Sequence, residues 1–211
     1  MNPRRRILVV ALGLAPLGAL AQPRALSPGV DYTELKPGQP VDAQGKIEVL
    51  EFFWYGCPHC YTLEPMLEKW IARLPADVLF RRVPAVLNPG WGNESAVYYT
   101  FEALGVLDKL HRPFFDAIHR DRLTTRDPVA LAQWLAKNGV DTKKYQEALK
   151  SFGVQSKVRR AAQISAAYRI DGTPALAVHG RYTVSAEQGR TQSGMLAIAD
   201  GLIALARKDA K

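Results

Sequence analysis

Apolar residues recur along this chain with two different periods, and the changes of period divide it. Residues 47–54 form an almost unbroken apolar run rich in aromatic and branched side chains, which predicts a strand covered on both faces. The run stops at Tyr55-Gly56. From Pro58 onward Leu63, Met66, Leu67, Trp70, Ile71 and Leu74 recur at the spacing of one helix face, and Pro58 suits a first helical position, where no backbone donor is missed. Pro65 removes the donor that would bond the Tyr61 carbonyl, so a kink or short break is expected there. Residues 78–83 read as the next strand.

From 93 to 168 the pattern is helical throughout. Segments 95–104 and 107–118 come first, the second interrupted by Pro113. Asp127-Pro128 supplies a cap and a first-turn proline for a helix whose face is Leu131, Trp134 and Leu135 and which Gly139 closes. Asp141 caps the next, with Tyr145 and Leu149 inward, and 154–168 completes the block. Strands return at 175–179 and 182–185, joined by a turn at Gly180-Arg181. A last helix over 193–208 turns Met195, Ile198, Leu202 and Leu205 inward.

The N-terminus adds an address. Arg4, Arg5 and Arg6 precede an apolar run from Ile7 to Leu20 and the small-residue pattern Ala19-Leu20-Ala21, as in a secretory signal peptide cut before Gln22. The run is too short, and too broken by Gly13, Pro16 and Gly18, to span a bilayer. Its removal takes three arginines from a formal charge of +8 and leaves about 190 residues, enough for a core without disulfide staples. The remaining basic residues are scattered among acids, with no basic stripe interleaved with aromatics, so nucleic acid is not an expected partner.

Export places the chain where disulfides persist, yet it has only two cysteines, Cys57 and Cys60. A loop this short returns about 2 kcal/mol of chain entropy, against about 4.7 kcal/mol for a 100-residue loop, so a structural bridge is a poor use of the pair. Zinc would need further ligands, and His59, His111, His119 and His179 form no second cluster at ligand spacing, so no metal is expected. Redox work is left as the better reading. A strand, a CxxC and then a helix is the setting of a thioredoxin-like redox motif.

Disulfide exchange runs through the thiolate. Cys57 would lie at the helix start, where free N–H groups and the dipole favour negative charge, and is expected to be exposed. Cys60, one turn inside, would be the buried thiol that resolves a mixed disulfide. His59 lies between them, either as a donor to the Cys57 thiolate or as an exposed residue with no part in the chemistry. Stabilising the thiolate stabilises the reduced form and makes the disulfide more oxidising.

The stretch Val49-Leu50-Glu51-Phe52-Phe53-Trp54-Tyr55-Gly56-Cys57-Pro58-His59-Cys60-Tyr61 closely resembles the active-site segment of the DsbA family of bacterial periplasmic thiol:disulfide interchange proteins. The likeness extends over nearly all the chain after the leader. It implies an α/β, thioredoxin-like fold with an inserted all-helical domain: 1–21 as signal peptide, 22–90 and 170–211 as a discontinuous thioredoxin-like domain, and 91–169 as the insertion. It also implies a periplasmic monomer that needs no cofactor beyond its Cys57–Cys60 disulfide. Such a protein oxidises reduced, unfolded exported polypeptides and is reoxidised by a DsbB-type membrane quinone reductase.

The resemblance adds three positions. Glu51 stands where the family places a buried acid that exchanges a proton with the resolving thiol, and by alternation it shares a face with Ile47, Val49 and Phe53. A carboxylate at a strand edge is the alternative. Thr173-Pro174 matches the family's cis-proline site, whose preceding residue pairs its backbone with substrate; otherwise Pro174 merely opens a strand. Gly56 departs from the pattern, standing where a bulky aromatic is expected. Trp91, Tyr98 and Tyr99 line a substrate groove or belong to the core. Two other functions stay open: an isomerase or reductase, against which the short 22–46 segment argues because such proteins carry an N-terminal dimerisation region, and a non-catalytic peptide-binding module, against which both cysteines and the proline argue.

Overall fold

The computed structural model describes residues 25–43 and 45–209, so the signal-peptide assignment at 1–21 lies outside the described residues. The apolar run becomes β2, Ile47–Phe53, with every residue buried. It lies within a five-stranded sheet, next to an edge strand. β1 (Thr33–Glu34), β5 (Tyr182–Ser185), β4 (Ala175–Val178), β2 and β3 (Val78–Pro84) follow one another across it. β2 runs parallel to β3, with Glu51 opposite Arg82, and antiparallel to β4, with Phe52 opposite Ala175.

The two faces of β2 enter different cores. Ile47 and Val49 pack with Leu63, Leu67 and Trp70 of α1 (Pro58–Ile71) and with Leu202 and Ile203 of α8 (Gln192–Asp209). Leu50 and Phe52 pack on the opposite side with Val83, Ala161 and Tyr168. Each large side chain sealed this way contributes about 1.5–3 kcal/mol. Phe53, at the strand end, joins a third core.

That third core is built by α2 (Gly92–Ala103), α3 (Leu107–His119), α4 (Pro128–Lys137) and α5 (Thr142–Lys150), which with α6 (Phe152–Ala167) lie in sequence between β3 and β4. Phe101, Phe114, Phe115, Leu135 and Tyr145 are sealed within it. The caps are those the residues predict: Asp127 accepts from Val129 and Ala130, and Asp141 from Lys143 and Lys144.

Several expectations are corrected. α1 runs through Pro65 without the short break that is one of the two outcomes expected there, and α3 continues through Pro113; both prolines are exposed, where the freed carbonyl of the preceding turn can bond water. Met66, expected inward, is 40% exposed: it sits at the edge of an apolar stripe that Leu63, Leu67 and Trp70 already fill. The hairpin turn is His179-Gly180 rather than Gly180-Arg181, with φ of 51° and 68° at its two central residues. Gly180 is required there, since a Cβ would lie 2.2 Å from the Gln39 carbonyl oxygen. β1 and the one-turn α7 (Ala186–Gly189) were not anticipated, being too short to carry a period.

Candidate active site

Cys57 is the N-cap of α1, with extended backbone (φ −85°, ψ 116°), and Pro58 takes the first helical position. The Cys57 sulfur accepts the Cys60 backbone N–H at 3.4 Å and lies 3.3 Å from the Thr173 carbonyl, to which its thiol donates. Thr173 precedes a cis peptide bond to Pro174, so the loop before β4 faces the start of α1. Both cysteines are free thiols.

The two sulfurs are held very differently. The Cys57 pKa falls to about 5, through the Cys60 thiol first, with Thr173 and the backbone N–H groups of Cys60 and His59 adding to it against the opposing effect of burial. His59 enters this balance through its amide; its side chain points to solvent. Burial and the neighbouring Cys57 push Cys60 well above the usual thiol range. Cys60 has no exposed surface. Cys57, expected exposed, retains only 6%, because Thr173 covers it and its own turn closes over the sulfur. A groove of about 360 Å³ is lined by His59 and Pro174, the neighbours in sequence of Cys60 and Thr173, together with Arg190, Thr191, Gln192 and Met195.

Gly56 is explained by Trp54. A Cβ on Gly56 would fall 2.3 Å from the Trp54 ring, which fills the space expected for an aromatic at 56. That ring stacks on Trp91 (centroids 4.3 Å, planes 3° apart) and donates to Glu94. The aromatic surface beside Cys57 is thus supplied from two residues earlier and braced by the helices. Tyr98 belongs to the core, 6% exposed against Phe53 and Tyr55, and Tyr99 lies half-buried beside it. His119 donates from Nε2 to the Tyr55 carbonyl at 2.8 Å and stacks on Tyr61, tying α3 to the active-site turn.

Beneath the sulfurs lies a set of buried polar groups that the sequence reading only partly named. Glu51 is 1% exposed, with its carboxylate 3.0 Å from Arg82 Nε. Arg82 also bonds Glu64, His111 Nε2 is 3.4 Å from the same Glu64 oxygen, and His111 Nδ1 meets the Tyr55 hydroxyl at 2.8 Å. Burial raises the Glu51 pKa to about 8 against the pull of Arg82, whereas His111 and Arg82 hold Glu64 below the ordinary range despite its burial. Glu64 carried a signal: it falls four residues after Cys60, a charge on the buried face of α1. Arg82 carried none, since only the β2–β3 register sets it against Glu51.

Two thiols so unequal within one helical turn, on a thioredoxin-like sheet, define the class: a thiol:disulfide exchange protein. Comparison with known proteins agrees. Residues 77–192 match the family model of the DSBA-like thioredoxin domain. Thiol:disulfide interchange protein DsbA of Azotobacter vinelandii is 41% identical over 206 residues, covering 95% of this chain and 96% of the relative. DsbA of Bordetella parapertussis is 42% identical over 202 residues, covering 95% and 96%. The crystal structure of Pseudomonas aeruginosa DsbA superposes with a TM-score of 0.82 at 37% identity, over 86% of this chain and 95% of that one. The chain belongs to the DsbA family and is a thiol:disulfide oxidoreductase that works through its own cysteines.

Proposed function

We propose that this protein acts in the periplasm as a dithiol oxidase, donating a Cys57–Cys60 disulfide to reduced, unfolded exported polypeptides. The observation that carries the oxidising direction is the lowered Cys57 pKa. In the reduced protein a depressed thiol pKa adds stability that is complete above the unfolded value and lost as pH falls through about 5. At pH 7 the two units between about 5 and 7 correspond to roughly 3 kcal/mol, and solvent screening at a sulfur open on one side reduces this to roughly 1–3 kcal/mol, or some 20–60 mV. The disulfide has no thiolate to stabilise, so this favours its reduction.

In this reading a substrate thiolate attacks Cys57 Sγ, the Cys57–Cys60 bond breaks, and Cys60 leaves with the electron pair and takes a proton from Glu51. A second substrate thiolate then attacks the substrate sulfur of the mixed disulfide, forming the substrate's disulfide and releasing Cys57 as thiolate. Pro58 starts the helix so that its first amides face Cys57, and His59 contributes one of those amides at the same end. Thr173 and Pro174 present backbone to the substrate strand, and the adjoining groove receives the chain beyond. A DsbB-type membrane quinone reductase restores the disulfide. The protein is a monomer with a cleaved 1–21 leader, a thioredoxin-like domain of 22–90 and 170–211, and a helical domain of 91–169.

The disulfide form should oxidise a reduced, unfolded substrate stoichiometrically, and Cys57→Ser should abolish this; activity that persists in the variant sinks the mechanism. Equilibration with glutathione tests direction, since a potential as low as thioredoxin's contradicts an oxidase.

A further inference from the structure

Glu51 poses a problem of supply. It is sealed beneath the sulfurs, so each proton it gives to Cys60 or takes from it must be exchanged with solvent by some route. The groups around it are arranged as one. Arg82 holds Glu51 and Glu64 on a single guanidinium, and Glu64 in turn lies against His111. His111 borders a groove of about 310 Å³ that also reaches Arg82, Asp108 and Arg112.

We propose that His111 is the port through which protons enter and leave the buried acids beneath Cys60, acting through Glu64 and Glu51 rather than on the sulfurs. The proposal rests on the exchange reading above and deepens it. Three observations carry it. Glu51 Oε2 lies 3.0 Å from Arg82 Nε and His111 Nε2 lies 3.4 Å from Glu64 Oε1, while Glu51 Oε1 and Glu64 Oε2 are buried with no hydrogen-bond partner among the described residues, which leaves acceptor sites open for a proton along the chain of groups. The Tyr55 hydroxyl holds His111 Nδ1 at 2.8 Å, which aims Nε2 at Glu64, and Tyr55 is itself part of the active-site turn. Imidazole can take up a proton at one ring nitrogen and release one at the other, whereas Arg82 stays charged.

The charged and titratable groups facing His111 are Glu64 and Glu68 of α1, Arg82 of β3, Tyr98 of α2, Tyr55 of the turn, and Asp108 and Arg112 of its own helix α3. Burial and Arg82 favour the neutral ring; Glu64 and Glu68 favour the charged one. A proton lost from Glu51 leaves the cluster one charge more negative. That tips His111 towards uptake from the groove, and the proton passes through Glu64 to restore Glu51. When Cys60 must lose its proton to resolve a mixed disulfide, the same path runs outward.

The test is the rate at which Cys60 resolves a mixed disulfide between Cys57 and glutathione in the full chain, measured across about pH 5 to 9. His111→Gln keeps a hydrogen-bonding amide but cannot titrate, and should slow resolution about tenfold at neutral pH. Added imidazole should restore the rate through the groove, while alkylation of Cys57 by iodoacetamide, which bypasses Cys60, stays within about twofold. Tyr55→Phe, which removes only the hydroxyl holding Nδ1, should slow resolution by a smaller factor. Resolution in both variants equal to that of the parent, or a slowing that imidazole does not restore, overturns the port. If the parent itself forms no mixed disulfide at Cys57, the exchange reading fails and takes the proposal with it.

Discussion

Replacing Glu51 by glutamine should stabilise the folded protein, and by more as pH rises. Glu51 sits 3.0 Å from Arg82, which by itself suggests an ionised pair. Desolvation is the larger influence, because the carboxylate is fully buried and Glu64 shares the same guanidinium, so Arg82 offsets only part of the cost. The folded pKa is therefore about 8 against an ordinary 4.5, and the folded protein carries a proton there that the unfolded chain has lost. Stability is undiminished by this group below about 4.5, erodes as pH rises through the window, and levels off above about 8. At about 1.4 kcal/mol per unit, the cost is about 3 kcal/mol at pH 7 and about 5 kcal/mol above pH 8. Glutamine is neutral throughout and escapes it. The assay is denaturant unfolding of parent and Glu51→Gln at a series of pH values, both in the disulfide form so that Cys57 does not titrate. The expected result is a gap near zero at pH 4.5 that widens to a few kcal/mol by pH 8. A constant gap, or a parent that gains on the variant as pH rises, would falsify the reasoning and mean that the ion pair with Arg82 outweighs burial.

Thiolate absorbance of the reduced protein should titrate near pH 5, and Cys60→Ala, which removes the strongest influence on Cys57, should raise that midpoint by about one unit or more. His59→Ala keeps the amide and should leave the midpoint nearly unchanged; a rise as large as that of Cys60→Ala would bring the imidazole into the account. Gly56→Ala should cost about 1–3 kcal/mol in denaturant unfolding, because its methyl group meets the Trp54 ring at 2.3 Å, and pairing it with Trp54→Leu should recover most of the loss. A double-mutant cycle on Trp54 and Trp91 should give a coupling of about 1 kcal/mol for their stacked rings, and a value near zero would show that the brace contributes nothing.

Local chemistry was enough to read the elements that place the sulfurs. A buried strand, a proline at a helix start and cysteines one turn apart are dictated by backbone geometry and periodicity over a few residues, so β2, Cys57, Pro58 and Cys60 were legible, as were the capped helices at Asp127 and Asp141. Pairing across the sheet was not. Arg82 becomes the neighbour of Glu51 because β3 lies parallel to β2 in one register, and His111 joins them because α3 packs over α1; neither fact has a signature in its own segment. The same holds for Gly56, a departure in the linear pattern that the Trp54 ring makes necessary, and for Pro65, whose outward placement lets α1 continue. The sequence by itself determined where the two thiols stand on the chain and the helix. How tightly each thiol and each buried acid holds its proton was decided only by the tertiary structure, since burial and the approach of distant charges set proton affinity, and neither exists until the chain has folded.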